Sequence, residues 1–341
     1  MVRVSEKVES SAPSGRSRGK RGRLLRGIAA CLVLAGVAGY VVTQYVISGS
    51  GPARCTVLPS GGSGGSAYRI HPEQAANAAT IAAVASSRGL PDRAVTIALA
   101  TAMQESGLRN IEHGDRDSLG LFQQRPSQGW GEKRQIMDPV YSAGKFYEHL
   151  VEVPGYSRLP LTVAAQEVQR SGFPQAYAKH EVNATLLTAA LTGRRAAALN
   201  CTVGPGAGSS APGDPEQVRE RLAREFGPGV LGAGGKHEGA VAGKNGGSGG
   251  ARGAESVFAA PTGPGASRGA GLVLPADTPE RGWELAHWAV AQAGELRIAV
   301  IAYDGRVWSA ERSEEGWRPA EAGTDEARRP GAVVLNVGPG D

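Results

Sequence analysis

The sequence predicts a mainly α-helical body, preceded by one transmembrane helix and followed by a disordered linker and a small α+β module. Three observations carry this expectation. Ala94, Val95, Ile97, Ala98, Leu99, Ala102 and Met103 recur at helical spacing, and further helical segments flank them. Residues 27–47 are an almost uninterrupted apolar run. Residues 204–270 are dominated by Gly, Ala, Ser and Pro and cannot bury a core, whereas strand-like patterns return after 271.

In chain order, residues 1–26 form a basic tail. Eight Lys and Arg against Glu6 and Glu9 give it a net +6, so the chain's formal +5 leaves about −1 for everything after residue 26. The basic pI therefore comes from a short tail, and no nucleic-acid-binding face is implied. The run Gly27 to Ile47 holds 21 residues with one polar amide, Gln44. At ~1.5 Å per residue it matches the thickness of a bilayer's hydrocarbon core. With the positive charge before it, the expectation is a single pass through the lipid bilayer, N-terminus cytoplasmic and the body extracellular. A cleaved secretory signal is the competing reading, and both export the body.

Exported cysteines tend to pair. Cys31 lies in the apolar run; Cys55 and Cys201 remain, either as a bridge that would tie the two ends of the body together or as two free thiols. In the loop-entropy model a closure this long contributes roughly 4–5 kcal/mol. No metal-ligand spacing is present, and no cofactor is implied.

Residues 48–66 are Gly/Ser-rich and read as a flexible stalk. His71-Pro72-Glu73 opens an Ala-rich helix that Gly89 closes. Leu90-Pro91-Asp92 opens the next, whose last turn carries Glu105, followed by Ser106 and Gly107. Two readings of Glu105 stand side by side. One is a solvated helix-end residue. The other is a half-buried carboxylic acid whose pKa is raised by burial and by the negative end of the helix macrodipole.

Gln104-Glu105-Ser106-Gly107 is followed by Ser118-Leu119-Gly120-Leu121-Phe122-Gln123-Gln124-Arg125-Pro126. This pair resembles the two signatures of lytic transglycosylases and goose-type lysozymes, over roughly residues 70 to 195. The resemblance implies a lysozyme-like helical domain (67–203) acting on peptidoglycan glycan strands, with Glu105 as general acid and with Ser106 and Gln123 orienting sugar and acid. Gln124 is a weaker substrate-binding candidate. Protonating an alkoxide leaving group needs an acid still protonated near neutral pH, which suits such a glutamate. A hydrolase adds a second carboxylate. Asp115 and Asp117 are the nearest, in a Gly-Asp-Arg-Asp stretch that equally reads as a self-satisfied turn. The family's transglycosylases need none, because the substrate's own groups complete the reaction.

Trp130 is a candidate for stacking on sugar or for packing under its loop. Asp138-Pro139 starts a helix to about Val151 with a core-facing aromatic side. Short helices follow at 162–171 and 174–191, the second interrupted near His180. The family places an Ala-Tyr-Asn-type motif here, its tyrosine touching the acid. This chain has Val168-Gln169-Arg170-Ser171 and then Ala176-Tyr177, so Gln169 and Tyr177 are both candidate helpers.

Asp214 to Phe226 reads as a short amphipathic helix inside the linker, with Val218, Leu222 and Phe226 on one side. In the module 271–341, Thr278-Pro279-Glu280 opens a helix, and Asp304-Gly305 splits two strands of a hairpin. Ala332 to Val337 is a third strand. The module reads as binding the wall or a partner. The function implied is a membrane-anchored, exported enzyme cleaving peptidoglycan glycan strands, as a lytic transglycosylase or muramidase. The alternative is an inactive lysozyme-like scaffold that holds glycan or builds an envelope assembly.

Overall fold

The computed structural model describes residues 31–40, 53–59, 66–203, 213–232, 271–321 and 331–337. The chain divides into two units, Met1–Gly51 and Pro52–Asp341. In the first, residues 31–40 form a helix (α1) that exposes Leu32, Val33, Leu34, Val37 and Tyr40. The expected transmembrane helix is corrected here: no helix among the described residues is long and apolar enough to cross a membrane. Residues 31–40 span about 15 Å, half of a bilayer core, and they include Gly36 and Gly39, which weaken a helix. The single-pass localisation and the bilayer contact through 27–47 lose their support with it. Residues 27–30 and 41–47, the tail 1–26, and 204–212 and 233–270 of the linker lie outside the described residues.

The second unit is built on two alanine-lined helices, α2 (Pro72–Ser87) and α3 (Asp92–Glu105). Ala78, Ala85, Ala94, Ala98 and Ala102 are fully buried, and side chains this small allow close helix approach. Around them pack α4 (Lys133–Ile136), α5 (Pro139–Glu152), α6 (Leu161–Gln169) and α7 (Glu181–Leu191). The helix starts follow their caps. Asp138 accepts from the Val140 amide at 3.0 Å, and His71 with Gln74 forms a capping box ahead of Pro72. The helix expected over 174–191 is α7 alone, entered through a 3-10 turn at Ala178–His180.

The body is not all-helical, which corrects the expected fold class a second time. Two antiparallel sheets are present. The first, in order β2-β1-β3, joins β1 (Arg54–Val57), β2 (Tyr68–Ile70) and β3 (Leu199–Thr202). Part of the expected stalk is thus a strand. Cys55 and Val57 are buried while Arg54 and Thr56 alternate with them, a period too short to stand out from its Gly/Ser surroundings. Cys55 lies opposite Cys201 in the β1–β3 register, and the two form a disulfide.

The second sheet has the order β4-β8-β5-β6-β7, from β4 (Gly271–Pro275), β5 (Ile298–Tyr303), β6 (Arg306–Ser309), β7 (Arg318–Pro319) and β8 (Ala332–Val337). Asp304 and Gly305 both take positive φ between β5 and β6, as a two-residue hairpin turn requires. The helix α9 (Pro279–Leu296) covers this sheet on one side and packs on α2, α7 and β3 on the other. Its Trp283 and Trp288 are buried, and Trp308 of β6 is fully buried. The C-terminal segment therefore spends its aromatic residues on a core it shares with the helices before it. The linker helix α8 (Pro215–Phe226) docks on α2 with Val218, Leu222 and Phe226 buried.

Candidate active site

Glu105 is the last residue of α3, and four neighbouring groups fix where that helix ends. The Gly107 amide donates to the Met103 carbonyl and the Leu108 amide to that of Ala102, both at 3.1 Å. From α2, Gln74 donates to the Gly107 carbonyl at 2.6 Å and Asn77 to that of Leu108 at 2.9 Å. The carboxylate-bearing tip is thereby tied to α2.

The Glu105 side chain is half-buried, and two neutral groups meet it. The Tyr177 hydroxyl donates to its Oε1 at 2.8 Å, from a side chain with no exposed surface. Gln169, the last residue of α6, reaches the same carboxyl and also donates to the Phe122 carbonyl at 2.8 Å. Burial raises the Glu105 pKa above the ordinary carboxylate value, and the Tyr177 and Gln169 hydrogen bonds pull part of the way back. Burial, and then the Glu105 charge, push the Tyr177 phenol far above its usual range, so it stays a donor.

The loop after α3 is a tight reversal. Leu119 and Gln124 exchange both backbone hydrogen bonds, at 2.9 and 3.0 Å, around Gly120 to Gln123. Gly120 sits at φ 75°, where a Cβ would lie 2.8 Å from the Ile136 carbonyl oxygen. Ser106 tacks the reversal to the helix end, its hydroxyl lying 2.8 Å from the Leu121 carbonyl and 3.1 Å from that of Ala102. It is committed to backbone. Gln123 folds back on its own loop toward the His113 and Gly120 carbonyls, into the space that Gly114 leaves by lacking a Cβ. Gln124 is 1 % exposed and donates to the Ser142 carbonyl at 2.9 Å, so it fastens the loop to α5 and is closed to a ligand.

The two aspartates are placed differently. Asp117 accepts from Arg125 Nε and the Ser127 amide, both at 2.8 Å, and these bonds hold its carboxyl well below the usual range. It is a turn staple. Asp115 is exposed and faces Arg116 at 4.0 Å. Trp130 is half-buried, its ring 4.4 Å from that of His149 and its carbonyl accepting from the Tyr141 hydroxyl. A surface pocket of about 510 Å³, lined by Arg134, Met137, Asp138, Tyr141 and Arg224 among others, includes none of the residues around Glu105. Among the described residues no group of three or more His, Cys, Asp or Glu is placed to hold a metal ion.

Of the residues singled out in the sequence, the structure gathers Glu105, Gln169, Tyr177 and Ser106, and sets Asp115, Asp117, Gln124 and Trp130 to other tasks or elsewhere. Two supports went unmarked: Gln74 and Asn77 of α2, which hold the carbonyls just past Glu105.

Compared with known proteins, residues 268–329 match a family model described as VldE, C-terminal domain. The matched stretch holds β4, α9, β5, β6 and β7, is under a fifth of the chain, and contains none of the residues around Glu105. No curated protein matches the chain.

Proposed function

We propose that the chain is an exported enzyme that cleaves the β-1,4 glycan strands of peptidoglycan, with Glu105 as its one acid and base. The observation that carries the reading is the environment of that carboxyl: half-buried, biased toward the protonated form, and met by an amide and a phenol rather than a second carboxylate. The resemblance of its flanking motifs to lytic transglycosylases and goose-type lysozymes supplies the substrate class. The Cys55–Cys201 disulfide supports an oxidising compartment outside the cytosol.

Because Oε1 accepts the Tyr177 proton, the acid proton of Glu105 belongs on Oε2. From there it passes to the glycosidic oxygen as the bond to the sugar carbon breaks. The carboxylate left behind keeps the Tyr177 and Gln169 hydrogen bonds, which favour the charged form and so favour the transfer. In the second half the carboxylate takes a proton back, from a hydroxyl of the same sugar or from water. The first route closes an anhydro ring and the second gives a reducing end.

Incubating the full chain with purified peptidoglycan and identifying the soluble muropeptides by mass spectrometry tests the reading and separates the two routes. Release of either product supports it. Binding without release supports a glycan-holding scaffold and overturns it.

A further inference from the structure

We propose that Gln104 and His180 form a saccharide-binding pair beside Glu105, taking a neutral sugar group that both donates and accepts hydrogen bonds. The pair rests on the reading of the chain as a glycan-cleaving enzyme for its substrate class. The two side chains meet at 3.2 Å, His180 Nε2 against Gln104 Oε1, and both are half-buried. Glu105, the next residue of α3, is met in the same way by the Tyr177 hydroxyl at 2.8 Å. Two rungs thus join the tip of α3 to one short turn, with consecutive residues on the helix facing Tyr177 and His180.

The 3-10 turn at Ala178–His180 sets this spacing. The His180 amide donates to the Tyr177 carbonyl at 3.1 Å, and in such a turn side chains three residues apart lie over one another. With Tyr177 seated on Glu105, His180 is therefore brought to the neighbouring residue of α3. Gln104 and Glu105 present their polar ends to the same turn, so a group bound by the pair lies next to the carboxyl.

The hydrogen-bonding capacity left over defines the ligand. A carboxamide oxygen only accepts, so the imidazole donates its Nε2 proton, and Nδ1 of the neutral ring is then a bare acceptor. Burial and Lys179 bias His180 toward that neutral form. Gln104 Nε2 keeps both of its protons. Among the described residues neither Gln104 Nε2 nor His180 Nδ1 has a partner, and neither is sealed from solvent. Turning the amide over exchanges the two roles and still leaves one donor and one acceptor facing outward. Of the charged neighbours in the chain, Glu181 is paired with Arg93 at 3.2 Å and Lys179 is exposed. A carboxylate or phosphate would find the donor and be repelled by the acceptor, and an ammonium group the reverse. A hydroxyl or an acetamido group satisfies both.

The test uses the full-length chain carrying Glu105→Gln, so that nothing is turned over, with its histidine rings labelled with nitrogen-15. The probe is the β-1,4-linked trimer of N-acetylglucosamine. At saturation the His180 Nδ1 resonance, assigned with His180→Phe, is expected to move, while that of the fully buried His287 stays in place. His180→Phe and Gln104→Met, which keep the bulk and remove the polar atoms, are each expected to raise Kd for the trimer by roughly threefold to tenfold, the size of one hydrogen bond. Their thermal unfolding is expected to match the parent. Binding of the trimer that leaves the Nδ1 resonance unmoved overturns the proposal, as does an unchanged Kd in either variant. Release of muropeptides by a wild-type chain whose Glu105→Gln form does not bind the trimer overturns the pair and leaves the cleavage reading in place. The expected ring response in a chain that cleaves no glycan upholds the pair and removes the enzymatic role.

Discussion

Two buried glutamates sit in the same unit and have opposite fates. Glu105 ends α3 half-buried with one oxygen on Tyr177, whereas Glu225 of α8 has no exposed surface at all. Glu225 is pinned in the seam between α2, α8 and α9, where Oε1 accepts from Thr80 at 3.0 Å and Oε2 from the Trp288 indole at 2.7 Å. Its salt-bridge partner is Arg221, 3.6 Å away. Burial raises both pKa values, that of Glu225 to about 7. A raised pKa alone therefore does not mark a catalytic acid. The difference is that both Glu225 oxygens are bonded inside the core, while Glu105 is only half-buried.

The sharpest way to break this contrast is to neutralise each glutamate in turn. Glu105→Gln is expected to lower glycan cleavage by roughly 100- to 10,000-fold, the range for a general acid, with the melting temperature nearly unchanged. Glu225→Gln is expected to leave cleavage at neutral pH within about twofold, since it touches none of the site. Assays on peptidoglycan and calorimetry on both variants check the pair; a swap of the two phenotypes would invert the comparison.

The second effect is on stability against pH. A carboxyl raised from 4.5 to about 7 contributes stability that is fully present below pH 4.5 and is lost as pH rises through 7. Glu225→Gln should therefore gain on wild type by about 3 kcal/mol between pH 4.5 and pH 8, measured by denaturant unfolding. His287 acts in the other direction. It is fully buried, its Nδ1 is 2.7 Å from the Ala190 carbonyl and its Nε2 accepts from the Ala198 amide at 3.1 Å, so the ring is held neutral with its pKa near 4. Its contribution is present above pH 6.5 and lost as pH falls toward 4. A wild-type-minus-variant difference that stays flat from pH 4.5 to 8 would show that Glu225 is not held against its charge.

Much of this arrangement was legible beforehand, and the reasons are local. The helix from Asp92 to Glu105 announced itself through spacing and through Gly107, and Asp304-Gly305 gave its hairpin away because φ demands are written in residue type. Glu225 was invisible. It lay in a 12-residue helix within a Gly/Ala linker, and only α2 and α9, far off in sequence, make its position buried. β1 was missed for the same reason: four residues acquire a period only when β3 is laid beside them. The membrane-spanning reading of 27–47 rested on run length and apolarity, which describe a composition, and among the described residues no helix is long and apolar enough to cross a membrane.

Smaller effects refine the Glu105 side. Gly120→Ala places a methyl 2.8 Å from the Ile136 carbonyl at a left-handed φ, and a loss of about 1–3 kcal/mol is expected. Cleavage should fall with it, because the same turn carries Leu121 and Phe122, whose carbonyls hold Ser106 and Gln169. Arg170→Gly removes a left-handed strain before Ser171, and stability should change by less than about 1 kcal/mol, in the favourable direction. A larger loss in thermal unfolding would assign the Arg170 side chain a role that its exposure does not show.

The most direct measurement is release of soluble muropeptides from purified peptidoglycan by the full chain and by Glu105→Gln, at equal concentration and matched melting temperature. Release by the wild type and its loss in the variant is the expected result. Equal release by both would place the acid elsewhere and contradict the account.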